Sequence, residues 1–244
     1  MADVNGLFTL PGAPGRRAPG CVLALIAALA VLTGVAAAES SPPPGGAPGP
    51  TLVVLGDSLS AGYGIRVEDG WVALLARRLE AEGYGYRVVN ASVSGETTGG
   101  GLARLPRVLA VHHPAIVLIE LGSNDGLRGL PVGEIERNLT DLIARSRAAG
   151  AQVLLIGMRM PGNYGPEYTA KFYATFGSVA KAERVALVPF LLERIALDEA
   201  RFQADRLHPD AVAQPALLET VWPVLQPLLR GAGRASARPT GTTP

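Results

Sequence analysis

Residues 51–64 read TLVVLGDSLSAGYG, and the interpretation of the rest of the chain depends on this stretch. Its apolar, β-branched run ends at Gly56-Asp57-Ser58, which is typical of a strand buried on both faces at the centre of a parallel sheet. Ser58 therefore follows the carboxyl end of a strand, the edge at which open α/β sheets bind ligands. A serine hydroxyl is a poor nucleophile by itself. A catalytic role for Ser58 requires a base, an orienting carboxylate and oxyanion donors elsewhere in the sequence.

Composition favours one folded domain whose partner is not a polyanion. The chain has 244 residues, of which 48% are hydrophobic and 18% charged, enough to bury one sizeable core. Its 22 basic and 21 acidic residues are interspersed and give a net charge of +1, so we expect no nucleic-acid partner. Cys21 is the only cysteine. A mature protein without it has no disulfide framework, thiolate zinc site or cysteine nucleophile.

The two ends of the chain differ from the middle. Residues 1–38 resemble an export signal, because Arg16-Arg17 precede an uncharged apolar run that ends in an A-x-A cleavage pattern near Ala38. We therefore expect a periplasmic or secreted protein without stable membrane insertion, and an uncleaved membrane anchor is the alternative. Residues 39–50 form a Pro/Gly-rich linker, residues 51–230 the folded domain, and residues 231–244 a disordered tail.

Strand and helix patterns alternate through the folded domain. This alternation predicts an α/β fold with a parallel sheet covered by helices on both faces. Asp69 is expected to cap the first helix. Further strands are predicted at 87–90, 115–121, 151–156 and near 185–188, and helices at 69–79, 102–111, 133–149, after Pro166 and at about 210–229.

Three histidines are available as a base. His112 and His113 precede Pro114, and such a pair is typical of a solvated helix terminus. His208 follows Asp205 by three residues, so on one turn the carboxylate can accept the imidazole N–H and stabilise the imidazolium. From this spacing alone, an Asp-His pair that merely caps a helix remains an alternative.

Two turns that follow predicted strands could supply oxyanion donors. Gly95 lies in a Ser-Gly turn after the second strand, and Asn124 follows the third strand. Glycine and asparagine are also common in ordinary turns, but the position of these two residues after adjacent strands favours an oxyanion site. Asp57 and Asp125 are expected to hold these turns through bonds to the backbone. The sequence contains no G-x-S-x-G, P-loop, G-x-G-x-x-G or H-E-x-x-H motif, and we expect neither a metal nor a cofactor.

Five blocks, in order, carry a resemblance to a known family. They are GDSLSAGY at 56–63, NASVSGET at 90–97, GLARLP at 101–106, ELGSNDGLRG at 120–129 and DRLHP at 205–209. With these blocks the chain resembles the GDSL or SGNH hydrolases, and within them the exported bacterial thioesterase, lysophospholipase and arylesterase type. The resemblance implies a flavodoxin-like, three-layer α/β/α fold with five parallel strands. Ser123 departs from the family pattern, which often has a second glycine before the asparagine.

The resemblance also implies roles for individual residues. Ser58, Asp205 and His208 would form the catalytic triad. The oxyanion hole would consist of the Ser58 and Gly95 backbone N–H groups and the Asn124 side chain. Residues 160–165 resemble a loop that borders the acyl site and moves on binding, so the expected substrate contacts are Met160, Pro161, Asn163 and Tyr164.

These expectations describe a serine esterase that hydrolyses carboxylic esters or thioesters through an acyl-enzyme. The two tyrosines and low charge of residues 160–168 favour apolar acyl or aryl groups. Two alternatives remain at this point, namely a carbohydrate acetylesterase and an exported binding domain that uses the same crevice without catalysis.

Overall fold

A computed structural model describes residues 49–235 of the chain. The predicted signal at 1–38, most of the linker and residues 236–244 lie outside this range. Within it, no helix is long and apolar enough to cross a membrane.

The core of the molecule is one parallel five-stranded sheet, as the sequence predicted. The strands are β1 Thr51–Gly56, β2 Arg87–Asn90, β3 Ile116–Glu120, β4 Gln152–Ile156 and β5 Ala186–Val188. Their order is β2-β1-β3-β4-β5, and every pair is parallel. All residues of β1 and β3 are buried, because helices cover both faces of these central strands.

Within residues 49–235, seven α-helices accompany the sheet. They are α1 Ser58–Ala61, α2 Trp71–Ala81, α3 Thr98–His112, α4 Ser123–Leu127, α5 Val132–Ala148, α6 Pro166–Glu183 and α7 Gln214–Ala235. Helix α2 packs against α7, while α5 packs between α3 and α6, which gives the three-layer α/β/α arrangement.

This topology places a crevice between β1 and β3. The chain passes from β1 outward to β2 and then returns to the other side of β1 as β3. In a sheet with this order the connections leaving β1 and β3 diverge, so ligands bind at this switch point beyond the carboxyl ends of the strands. Ser58 follows β1 and Asn124 follows β3, and both residues therefore flank the crevice.

The predicted cap of the first long helix is wrong. Asp69 ends a short 3₁₀ turn at Val67–Asp69, and Gly70 is the N-cap of α2 without a side-chain hydrogen bond. The buried N–H of Trp71 is accepted instead by Oε1 of Gln214, 143 residues away in sequence, at 3.0 Å. A partner so distant in sequence cannot be recognised from a local capping pattern.

The limits of the last helix also differ from the prediction. It begins at Gln214 instead of near Asp210, because the Asp210 carboxylate accepts the Ala213 N–H at 2.8 Å and holds a turn there. The helix then continues to Ala235, five residues past the predicted domain end at 230.

Candidate active site

Ser58 lies where the central strand becomes a helix. It is the first residue of α1, directly after β1, and Asp57 is the N-cap of this helix. An Oδ1 atom of Asp57 accepts the Leu59 N–H at 3.0 Å, which is the turn-holding role expected from the sequence. Gly62 ends the helix after one turn with φ 77°, a conformation that glycine adopts without strain.

The loop that precedes α7 brings His208 to Ser58. Gln203 anchors this loop, because its Nε2 donates to the carbonyl oxygens of Tyr63 at 2.8 Å and Pro209 at 3.1 Å. Its backbone N–H also donates to the His208 carbonyl at 2.8 Å. Gly64 has φ 74°, which favours glycine, and a Cβ atom there would lie only 2.0 Å from Gln203 Oε1 and would displace the anchoring side chain.

A continuous hydrogen-bond relay joins the three predicted triad residues. His208 Nε2 lies 2.9 Å from Ser58 Oγ, and His208 Nδ1 lies 2.7 Å from Asp205 Oδ2. The histidine is partly buried, and the Tyr63 ring packs against it with the ring centroids 4.5 Å apart. The three side chains are thus arranged for proton transfer from the serine to the imidazole.

The charge of Asp205 fixes the histidine tautomer. Its Oδ1 accepts the backbone N–H groups of His208 at 3.0 Å and Leu207 at 2.9 Å. These bonds, together with that from the His208 ring, lower the pKa of Asp205 from 3.8 to about 2, with the His208 backbone bond the largest cause. An ionised carboxylate can only accept, so Nδ1 carries the hydrogen and Nε2 is free to accept the serine proton.

The predicted oxyanion donors lie beside Ser58. Ser58, Gly95 and Asn124 all line the same cavity. The Ser58 N–H belongs to the first turn of α1 and so has no partner within the helix. Gly95 has φ 80°, and its carbonyl oxygen accepts Arg128 Nη2 at 3.0 Å, which fixes the loop. The chain thus places two backbone donors and one amide at the strand ends.

Both hydrogens of the Asn124 amide are engaged in this structure. Its Nδ2 donates to Asp57 Oδ2 at 3.1 Å and to the Glu96 carbonyl at 3.0 Å. Because both partners are acceptors, they fix which terminal atom of the Asn124 side chain is the amide nitrogen. Ser123 is compatible with this arrangement, since Gly122 takes the left-handed backbone conformation with φ 119° and Ser123 is helical.

A cavity of about 500 Å³ opens from Ser58 and His208. Most of its wall is apolar, and the residues that supply this wall include Leu127, Met158, Met160, Pro161, Phe190, Leu192, Ala196, Phe202 and Leu207. This volume is in the usual range for a site that holds a small organic molecule.

The structure separates the four expected substrate contacts into two pairs. Met160 and Pro161 line the cavity, whereas Asn163 and Tyr164 are not part of its lining. Asn163 is exposed. The Tyr164 hydroxyl donates to the Leu127 carbonyl at 2.9 Å, so this tyrosine joins its own segment to the end of α4 from outside the cavity. The apolar character of the cavity therefore does not come from the two tyrosines of residues 160–168, Tyr164 and Tyr168, neither of which lines it.

Other parts of the wall were not predicted from the sequence. Phe190, Ala196 and Phe202 come from the part of the connection between β5 and α7 that precedes the DRLHP block, and this part has no motif and no regular period. Tyr63 lies in the GDSLSAGY block, but no local pattern shows that its ring packs on a histidine 145 residues later.

The remaining polar candidates lie outside the relay. His112 is the last residue of α3 and His113 its left-handed C-cap, as expected for a helix terminus. Asp125 accepts the Thr98 N–H at 2.8 Å and so joins α4 to the start of α3. Within residues 49–235, no group of three or more His, Cys, Asp or Glu side chains is arranged to hold a metal ion.

A parallel α/β sheet with a Ser-His-Asp relay at its switch point defines a serine hydrolase by fold and geometry. Comparisons with known proteins give the family. The model of the GDSL-like Lipase/Acylhydrolase family matches residues 54–214. The chain belongs to this family and is a serine esterase.

Individual relatives agree with this assignment. The chain is 52% identical over 202 residues to Esterase TesA of Pseudomonas aeruginosa, covering 83% of this chain and 95% of that protein. It is 43% identical over 179 residues to Thioesterase 1/protease 1/lysophospholipase L1 of Escherichia coli K12, covering 73% and 85%. The crystal structure of TesA superposes with a TM-score of 0.71 at 54% identity, covering 73% of this chain and 99% of that one.

The low pKa of Asp205 should depend mainly on the backbone. In His208→Ala both backbone N–H donors persist, so we expect the Asp205 pKa to rise above about 2 but to stay below 3.8. Carboxyl-detected NMR titration of wild type and variant measures both values. Because the pKa is lowered on folding, the ionised carboxylate stabilises the fold above pH 3.8, and this contribution disappears as the pH falls towards 2. A pKa of 3.8 or more in His208→Ala would show that the imidazole is the main cause.

Proposed function

We propose that Ser58 is the nucleophile of this esterase, His208 its general base and acid, and Asp205 the group that orients the histidine. The observation that carries the proposal is the relay of 2.7 and 2.9 Å hydrogen bonds, which ends at a serine in an apolar cavity. A binding domain without catalysis does not require a serine, a histidine and an aspartate in hydrogen-bond contact, so the relay counts against that alternative.

The reaction follows from the positions of the protons. His208 Nε2 takes the Ser58 hydroxyl proton as Oγ attacks the acyl carbonyl, and Asp205 stabilises the imidazolium that forms. The imidazolium then protonates the leaving alcohol or thiol, and the acyl group remains on Ser58. Water, deprotonated by the same nitrogen, attacks the acyl-enzyme, and the imidazolium returns the proton to Ser58 Oγ as the acid is released.

The tetrahedral oxyanion receives hydrogen bonds from the Ser58 and Gly95 N–H groups and from Asn124. The Asn124 amide donates to Asp57 and to the neutral Glu96 carbonyl. A negatively charged oxygen is a stronger acceptor than a carbonyl, so the developing oxyanion can replace Glu96. This interaction then strengthens in the transition state, which is the condition for accelerating the reaction.

The cavity wall indicates the substrate class. A wall that contains two methionines, two phenylalanines and several leucines is suited to an apolar acyl chain, not to a sugar. A carbohydrate acetylesterase, the other enzymatic alternative, would need only a short acyl site. The name of the Escherichia coli relative includes thioesterase and lysophospholipase, both of which act on acyl substrates, and we extend those classes to this chain.

We also infer that the protein is exported. This inference is based on residues 1–38, which lie outside the described residues but have the charge, apolar run and A-x-A pattern of a signal. Cleavage after Ala38 would make Glu39 the first residue. N-terminal sequencing of protein recovered outside the cytoplasm would detect this end, and an intact Met1 would indicate an anchor.

Asn124→Ala removes one oxyanion donor and tests the assigned roles. We expect kcat to fall by about 10²–10³-fold while the protein still folds, because a preorganised donor acts mainly in the transition state. The matched control is Asn138→Ala, since Asn138 Nδ2 also donates to a side chain, Thr98 Oγ1, at 3.0 Å, but does not line the cavity. Near-wild-type kcat in Asn124→Ala would refute its role.

Acyl-chain selectivity tests the substrate class. Across p-nitrophenyl esters from acetyl to octanoyl we expect kcat/KM to rise, by at most roughly fourfold for each buried methylene, which contributes about 0.8 kcal/mol. In Ala196→Phe, which narrows the cavity, the octanoyl-to-acetyl ratio of kcat/KM should fall. A steady decrease with chain length in the wild type would favour the acetylesterase alternative.

A further inference from the structure

A pair of buried carboxyl groups, Asp57 and Glu120, lies at the start of α1, the helix that begins with Ser58. Glu120 is the last residue of β3 and pairs in register with Gly56 of β1. Glu120 and Asp57 both have 0% of their surface exposed, a rare position for acidic residues. Neither carboxyl group transfers a proton in the reaction described above, so their burial needs a separate explanation.

The structure is built closely around the Glu120 carboxyl group. Its Oε2 accepts the Ser60 hydroxyl at 2.7 Å and the Asp57 backbone N–H at 3.3 Å. A Cβ atom at Gly56 would lie 2.8 Å from the same oxygen, so the glycine before the aspartate makes room for this carboxyl group. No donor among the described residues faces the other oxygen, Oε1, although it is buried.

The two carboxyl groups are buried side by side, since the backbone N–H of Asp57 donates to Glu120 Oε2 at 3.3 Å, and two like charges so close and so deeply buried favour a proton on one of them. Glu120 is the better place for it. A charged Glu120 would leave Oε1 buried without a donor. Asp57, in contrast, accepts the Leu59 N–H at 3.0 Å and the Asn124 amide at 3.1 Å, and both hydrogen bonds stabilise its charged form.

The pKa shifts agree with this distribution. Burial and then the charge of Asp57 raise the pKa of Glu120 well above 4.5. Burial also raises the pKa of Asp57, to about 6, while the Leu59 backbone bond opposes the shift. At neutral pH the pair therefore consists of a neutral glutamic acid and an ionised aspartate.

We propose that Glu120 is a positioning residue of the oxyanion hole, which donates its carboxyl proton to Asp57 and through Asp57 holds the Asn124 amide in place. Burial alone would favour a neutral Asp57, whereas a donor beneath it stabilises the charged form. An ionised carboxylate is a stronger acceptor for the Asn124 amide than a neutral acid. The proposal rests on the role given to Asn124 above.

A double-mutant cycle separates this role from simple support of the fold. In Glu120→Ala we expect kcat to fall by about tenfold to 10²-fold with KM nearly unchanged, since the effect cannot exceed the loss of the Asn124 donor itself. In the Asn124→Ala background the same substitution should have almost no further effect on kcat, because residues that act through one group are not additive. An equal loss in both backgrounds would overturn the proposal.

Infrared spectroscopy tests the proton directly and does not depend on turnover. Glu120→Gln keeps a donor towards Asp57 and an acceptor for Ser60 and creates no cavity, so it can be measured even if Glu120→Ala does not fold. At neutral pH we expect the wild-type spectrum to contain a protonated carboxyl band that Glu120→Gln lacks. Asp125→Asn, which removes another buried carboxyl group, is the control and should retain this band.

The two measurements distinguish the possible failures. If Glu120→Gln leaves the protonated-carboxyl bands unchanged, Glu120 holds no proton and the proposal is wrong, while the proposed function stands. If Asn124→Ala has near-wild-type kcat, the assigned oxyanion role fails, and the proposal about Glu120 fails with it.

Discussion

The parallel pairing of β1 with β3 is the constraint on which the site depends. This register places Gly56 opposite Glu120, so the segments that follow β1 and β3 leave the sheet at the same level and lead into α1 and α4. Ser58 and Asn124 are therefore held by the buried centre of the sheet, where strands move least. A nucleophile and an oxyanion donor need such a rigid support, because small displacements reduce catalysis greatly.

His208, the proposed base, and the cavity wall come from less regular structure. His208 and much of the apolar wall belong to the connection between β5 and α7, which is attached to the nucleophile loop through Gln203 and the Tyr63 carbonyl. This division allows the acyl site to vary while the chemistry stays fixed, since loop residues can change without disturbing the sheet. It explains how one triad can serve esters and thioesters of different acyl groups.

The parts of the molecule that follow local rules were predictable from sequence. The five strands have regular apolar runs, and Ser58, Asp205 and His208 lie in blocks with recognisable spacing. Contacts between distant residues were not predictable. Gln214, not Asp69, accepts the N–H at the start of α2. Tyr164 donates to the Leu127 carbonyl from outside the cavity. Phe202 lines the cavity from a segment that has no sequence pattern. Each depends on the packed tertiary structure and not on neighbouring sequence.

The central claim is that Ser58 is activated by the relay, and labelling with a fluorophosphonate tests it most directly. Intact mass of the folded protein after treatment would be compared between wild type and Ser58→Ala. We expect one adduct on the wild type and none on the variant, because only an activated serine reacts rapidly with this reagent. Unlabelled wild type, or equal labelling of Ser58→Ala, would contradict the assignment of Ser58 as the nucleophile.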